Sequence, residues 1–148
     1  MKSVLNKIRI RVAGIIIEDG RLLFVSHKKN DQVYWLLPGG GVHYGESLEE
    51  ALRREILEEL NVDVHVGAPE IICDSIDPSG GRHVVNICFI ADRISGEYSV
   101  GKEKRLYGYD FFDEKSIRDL EIYPPIKNEL RDMLKGVKSK SYLGRLWE

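Results

Sequence analysis

Glu55, Glu58 and Glu59 stand three and four residues apart, a spacing that places their carboxylates on one face of a helix. Like charges so placed repel by about a few tenths of a kcal/mol per pair in water, and by more when partly desolvated. A divalent cation relieves that repulsion, because carboxylate oxygens are natural ligands of hard ions such as Mg²⁺ and Mn²⁺. A solvated acidic face is the competing explanation. Leu48, Leu52, Ile56 and Leu60 form an apolar stripe on the same helix. The acids overlap the Leu48 and Leu52 edge of this stripe instead of lying opposite it, which weighs against plain solvation. Helical geometry alone leaves both readings open.

The segment before the acids is Pro38-Gly39-Gly40-Gly41, an irregular loop that runs to about Gly45. Consecutive glycines let backbone approach a ligand closely, and the loop leads into a helix N-terminus, where free N–H groups favour anions. It matches neither the phosphate-binding loop that ends in Gly-Lys-Ser/Thr nor the Gly-x-Gly-x-x-Gly of dinucleotide folds.

Taken whole, residues 40–62 resemble the Nudix box, Gly-x₅-Glu-x₇-Arg-Glu-U-x-Glu-Glu-x-Gly-U, with U aliphatic. Gly40, Glu46, Arg54, Glu55, Glu58 and Glu59 fall on its fixed positions, and Ile56 and Val62 on its aliphatic ones. Trp35-Leu36-Leu37-Pro38-Gly39-Gly40 ahead of the box resembles the family too. One position departs, with Asn61 where the box has Gly. A left-handed backbone after a helix end is tolerated by Asn better than by any residue but Gly, so the turn is expected to survive.

The resemblance, which includes the MutT-like enzymes and the ADP-ribose pyrophosphatase branch, implies an α/β fold: a Nudix-type α/β/α sandwich with a mixed β-sheet between helices. It implies metal-dependent hydrolysis of a phosphoanhydride bond in a nucleoside diphosphate linked to another moiety, such as ADP-ribose or a nucleotide sugar. Two alternatives are a house-cleaning nucleoside triphosphate pyrophosphohydrolase and a non-catalytic nucleotide-binding domain. Relatives of the second kind usually lose box carboxylates, and every one is present here.

Carried over residue by residue, Glu55, Glu58 and Glu59 are the expected ligands of Mg²⁺, with Mn²⁺ as substitute, and the carbonyl of Gly39 or Gly40 completes the site. The metal would neutralise the diphosphate oxygens and acidify a bound water. Glu46 and Arg54 resemble the family's orienting pair, joining loop to helix by charged hydrogen bonds. For the general base the candidates are Glu58 and, outside the box, Glu103 in Gly101-Lys102-Glu103-Lys104. His43, Tyr44, Arg82 and His83 are weaker candidates for substrate contact, since such side chains more often simply face solvent. Trp35, in an apolar run, reads as core before it reads as a base-stacking surface. Pro78 stands sixteen positions past Val62 (78 minus 62), an offset the resemblance associates with ADP-ribose cleavage. Turn chemistry in Asp77-Pro78-Ser79-Gly80 explains it equally well.

The elements that must hold these residues follow from pattern. Strands are expected at about Ile8–Ile17, Leu22–Ser26, Val33–Leu37, Val62–Cys73, Val84–Asp92 and Leu106–Phe112, the first two joined by a turn at Glu18-Asp19-Gly20. Ser47 with Glu50 forms a capping box that starts a helix running to about Leu60. Pro124-Pro125 introduces a second helix to about Leu134. The tail from Val137 to Glu148 is basic and then aromatic; its two aromatics are expected to pack on the body or on a partner subunit.

The 148 residues suit one domain. A composition of 43% apolar and 31% charged residues is that of a globular protein. A net charge of −2 lacks the cationic surplus that duplex nucleic acid requires, leaving a small nucleotide as the expected partner. No apolar run approaches a membrane span and no export signal is visible, so a cytoplasmic home is the default. Cys73 and Cys88 read as buried reduced thiols. A homodimer is the favoured oligomer, being the commonest kind.

Overall fold

The computed structural model describes residues 6–101 and 106–147. Strand β1 (Arg9–Ile15) leads to β2 (Ile17–Glu18), β3 (Arg21–Lys29), β4 (Gln32–Leu36) and β5 (Gly39–Gly41). Helix α1 (Leu48–Leu60) follows, then β6 (Asp63–Ile76), β7 (His83–Ser95) and β8 (Leu106–Phe112). The chain ends with α2 (Glu114–Ile117), α3 (Lys127–Leu134) and β9 (Tyr142–Leu146).

Five strands form one sheet in the order β5-β1-β7-β6-β9, with β1 parallel to β7, β6 parallel to β9 and the other pairs antiparallel. The second, four-stranded sheet is antiparallel, with β3 pairing β2, β4 and β8. The first expected strand is therefore broken at Ile16, where the chain leaves one sheet for the other. Asp19 and Gly20 have φ of 53° and 74°, and Asn30 and Asp31 have 51° and 63°, the paired positive values of tight hairpin turns.

Alternation along the strands sorts side chains into two cores. Val12, Ile16, Leu23 and Val25 pack with Leu52, Ile56 and Leu60 of α1. Ala13, Ile15, Leu22 and Phe24 face the other way, onto Ile117 of α2 and Ile126 and Leu130 beside and within α3. Strand layers with helices on both sides are the expected α/β/α arrangement. Among the described residues no helix is long and apolar enough to cross a membrane.

Two further expectations need correction. Gly39–Gly41 is not wholly irregular: it pairs with β1 as an edge strand, Ala13 opposite Gly39 and Arg11 opposite Gly41. The second long helix starts at Lys127, not at the prolines. A residue before proline is pushed out of the helical region, and Tyr123 and Pro124 both precede one. Glu121–Tyr123 is instead pinned in extended form by Trp35 N–H to Glu121 O and Tyr123 N–H to Trp35 O. Helix α2 was not anticipated, although Asp113 caps it by accepting from Ser116 N–H. The tail packs on the body, in line with the expectation, as a strand alongside β6.

Candidate active site

Helix α1 opens as its sequence predicts. The Ser47 hydroxyl accepts from Glu50 N–H at 3.1 Å, and the Glu50 carboxylate accepts from Ser47 N–H at 2.8 Å. Ala51, Leu52, Ile56 and Leu60 are fully buried and fix the helix's rotation. Truncating such a leucine costs about 2–5 kcal/mol, so the acids on the adjoining face inherit a firm position. Asn61 ends the helix with φ 62°, its N–H donating to Leu57 O and its side-chain amide to Ser99 Oγ at 2.8 Å. The left-handed turn is thus present without glycine.

Two carboxylates of α1 rest on consecutive glycines of β5. Glu59 is 4% exposed, and its Oε1 accepts from Gly39 N–H at 2.8 Å. The Glu55 carboxylate lies over Gly40 so closely that a Cβ there would meet its carboxyl carbon at 2.3 Å. Arg54 is the joint between loop and helix. Its guanidinium donates to both Glu46 oxygens, at 2.6 and 2.9 Å, to Gly41 O at 3.0 Å and to Glu55 Oε1 at 2.9 Å. A longer bond of 3.4 Å reaches Glu58, whose side chain is 57% exposed. The Arg54 guanidinium, helped by the His43 backbone N–H, holds the Glu46 carboxyl down at about 2, and Glu46 in turn raises the Arg54 pKa.

Glu55 and Glu59 line a cleft of about 820 Å³. Arg9, Arg11, Lys29 and Arg82 contribute cations to it, and Tyr34, Tyr123 and Trp147 contribute aromatic rings. Of the weaker sequence candidates only Arg82 lines it. Tyr44 is fully exposed, His43 sits beside Glu46, and His83 does not line the cleft although its neighbours Arg82 and Val84 do. Trp35 packs edge-on against Phe112 and against the α2–α3 core. Pro78 belongs to a turn in which the Asp77 carboxylate accepts from Ser79 N–H and Oγ. The loop before Glu103 is tied to α1, Gly101 N–H donating to Glu59 O at 2.7 Å, but Glu103 itself lies outside the described residues.

Arg9 and Arg11 were missed by sequence reasoning. The signal was there: two cations two residues apart in a strand share a face, and theirs is the face of Ala13 and Ile15. Asn86 and Trp147 carried no such signal, because only strand pairing brings them to the cleft.

An all-oxygen donor set of carboxylates beside β5 carbonyls fits a hard divalent cation. Among the described residues no three acids, histidines or cysteines already converge on one point. Arg54 occupies that role electrostatically, reaching Glu55 and Glu58 together.

The NUDIX domain model matches residues 7–134. The ADP-ribose pyrophosphatase of Methanocaldococcus jannaschii is 36% identical over 112 residues, covering 75% of this chain and 65% of that protein. The nucleoside triphosphatase NudI of Salmonella typhimurium is 35% identical over 102 residues, covering 67% and 62%. The match therefore spans just under two thirds of the length of these curated relatives. The crystal structure of a MutT NUDIX hydrolase from Burkholderia pseudomallei superposes with a TM-score of 0.69 at 30% identity, covering 89% of this chain and 99% of that one. With box, sheet order and acid-lined cleft on one scaffold, the chain belongs to the Nudix family.

Proposed function

We propose that the protein is a metal-dependent pyrophosphohydrolase that cleaves a nucleoside diphosphate linked to a second group, with ADP-ribose as leading substrate. The observation that carries this reading is the seating of Glu55 and Glu59 on Gly40 and Gly39 in the wall of a cleft that also carries Arg9, Arg11, Lys29 and Arg82. Similarity to an ADP-ribose pyrophosphatase supports the substrate; the Pro78 offset adds little, since Pro78 is accounted for by its turn. Similarity to a nucleoside triphosphatase supports the second reading, hydrolysis of nucleoside triphosphates.

Glu55, Glu58 and Glu59, with a carbonyl of Gly39 or Gly40, would hold Mg²⁺ or Mn²⁺. When bound, the ion supplies charge neutralisation at the phosphate oxygens and acidifies water. The Glu58 side chain, half exposed and held by Arg54 only through a long 3.4 Å contact, would complete the ligand set beside its two neighbours. As general base it takes a proton from the attacking water. Arg54 and Glu46 are positioning residues that keep the loop and Glu55 in place. Arg9, Arg11 and Arg82 orient the diphosphate. Water adds to one phosphorus, the bridging P–O bond breaks, and two phosphate monoesters leave. We further propose one domain over residues 1–148, a cytoplasmic enzyme and a homodimer.

A nucleotide panel with Mg²⁺, read by product mass, tests this. ADP-ribose is expected to give AMP and ribose 5-phosphate. No product from ADP-ribose beside rapid turnover of nucleoside triphosphates would sink the first reading in favour of the second.

A further inference from the structure

The acids do not explain the far end of the cleft. At one register level of the five-stranded sheet, Arg9 pairs with Val84, Val84 with Ser75 and Ser75 with Leu146, and Trp147 comes next in the chain. All five line the cleft. Neighbouring strands lie about 4.8 Å apart, so β9, four steps from β5, is on the order of 19 Å from the glycines that seat the acids. A phosphate group cannot touch both ends; a nucleotide reaches away from its phosphates toward the second.

Strand β9 lies beyond residue 134, where the family match stops. It is anchored without Trp147. Leu143 and Leu146 pack against the α2–α3 core, the Tyr142 hydroxyl donates to the Asp74 carboxylate, and Ile72 N–H donates to Ser141 O at 2.7 Å. Trp147 itself packs into neither core and is 43% exposed. An indole at the edge of a cationic cleft, unneeded for holding its own strand, is free to bind.

We propose that Trp147 is a substrate-binding residue that stacks on the aromatic base of the nucleotide and favours ligands that carry a base over those that lack one, an inference that rests on the function proposed above. The order of groups along the cleft matches the order of parts in such a ligand. Acids and then Arg9 and Arg11 meet the phosphates. Next come Asn86 and Ser75, joined by a hydrogen bond from Asn86 Nδ2 to Ser75 Oγ at 2.9 Å, polar groups suited to ribose hydroxyls. The indole stands last. Stacking accepts any base because every base has a π-face, and its loss weakens binding roughly tenfold.

Calorimetric titration with AMP, GMP, CMP and UMP, each compared with ribose 5-phosphate, tests the proposal on the full chain. Trp147→Ala is expected to weaken the four nucleotides roughly tenfold and to leave ribose 5-phosphate within about twofold. Trp147→Phe should keep most of the affinity. Equal weakening of nucleotides and ribose 5-phosphate would show a collapsed wall and overturn stacking. Unchanged nucleotide affinity, or no nucleotide binding by the wild type, overturns it as well. Turnover of ADP-ribose by the wild type is read in parallel. Tighter binding of the nucleotides than of ribose 5-phosphate, lost in Trp147→Ala, without turnover supports stacking while removing the hydrolase reading; turnover with nucleotides and ribose 5-phosphate bound alike removes stacking alone.

Discussion

At one end of the cleft, Glu55 and Glu59 sit on Gly40 and Gly39, and the Arg54 joint reaches Glu46, all within one continuous stretch of chain. At the other end, Asn86, Ser75, Tyr123 and Trp147 come from β7, β6, the segment before α3 and the residue after β9. The first end is dense with charged hydrogen bonds and holds its shape before any ligand arrives. The second is a polar and aromatic wall assembled by long-range strand pairing. Chemistry that tolerates little displacement is placed where local sequence controls geometry. The proposed base contact is placed on β9, four strands from the glycines that seat the acids.

This contrast makes predictions, the largest at the acid end. Glu58→Gln should lower kcat by about 10²–10⁴-fold, the usual worth of a positioned acid or base. Its melting temperature should stay near wild type because the side chain is half exposed. A large loss of stability with modest loss of rate would recast Glu58 as structural.

The two seating glycines should separate stability from activity. A Cβ at Gly39 would come within 2.0 Å of the Val12 carbonyl oxygen, which is backbone and cannot step aside. At Gly40 the atoms nearest an added Cβ are those of the Glu55 carboxylate, the end of a side chain rather than backbone. Gly39→Ala is therefore expected to unfold or severely destabilise the protein. Gly40→Ala should fold and lose about 10²-fold in rate, as a misplaced carboxylate would. Thermal melts and initial rates on both variants check this, and equal melting temperatures would contradict it.

A smaller effect concerns the Glu46 joint. Its folded carboxyl titrates at about 2, below the ordinary 4.5, so its contribution is present above about 4.5 and is lost as pH falls toward 2. Glu46→Gln should be less stable than wild type near neutrality, and the gap in melting temperature should close between pH 4.5 and 2. A gap that stays constant across that window would remove the joint from the account.

The same contrast explains what could be read from sequence. The capping box at Ser47, the buried stripe of α1 and the left-handed turn at Asn61 are short-range features, and each stands where its residues imply. The acid face was legible for the same reason. The β5 strand was not, since glycines show no strand preference until β1 lies beside them. Nor was the role of the tail: Tyr142–Leu146 became a strand only through register with Ile72–Ser75, which no local pattern specifies. The prolines before α3 misled by position, marking the end of an extended segment rather than the first turn of the helix.

Cleavage of a pyrophosphate bond by water is read out by incubating ADP-ribose with the protein and Mg²⁺ in ¹⁸O-labelled water. Two monophosphates, AMP and ribose 5-phosphate, are expected, with label in the phosphate of one of them and none in the other. Absence of both products, or label in neither phosphate, would contradict cleavage of the pyrophosphate bond by water at this site.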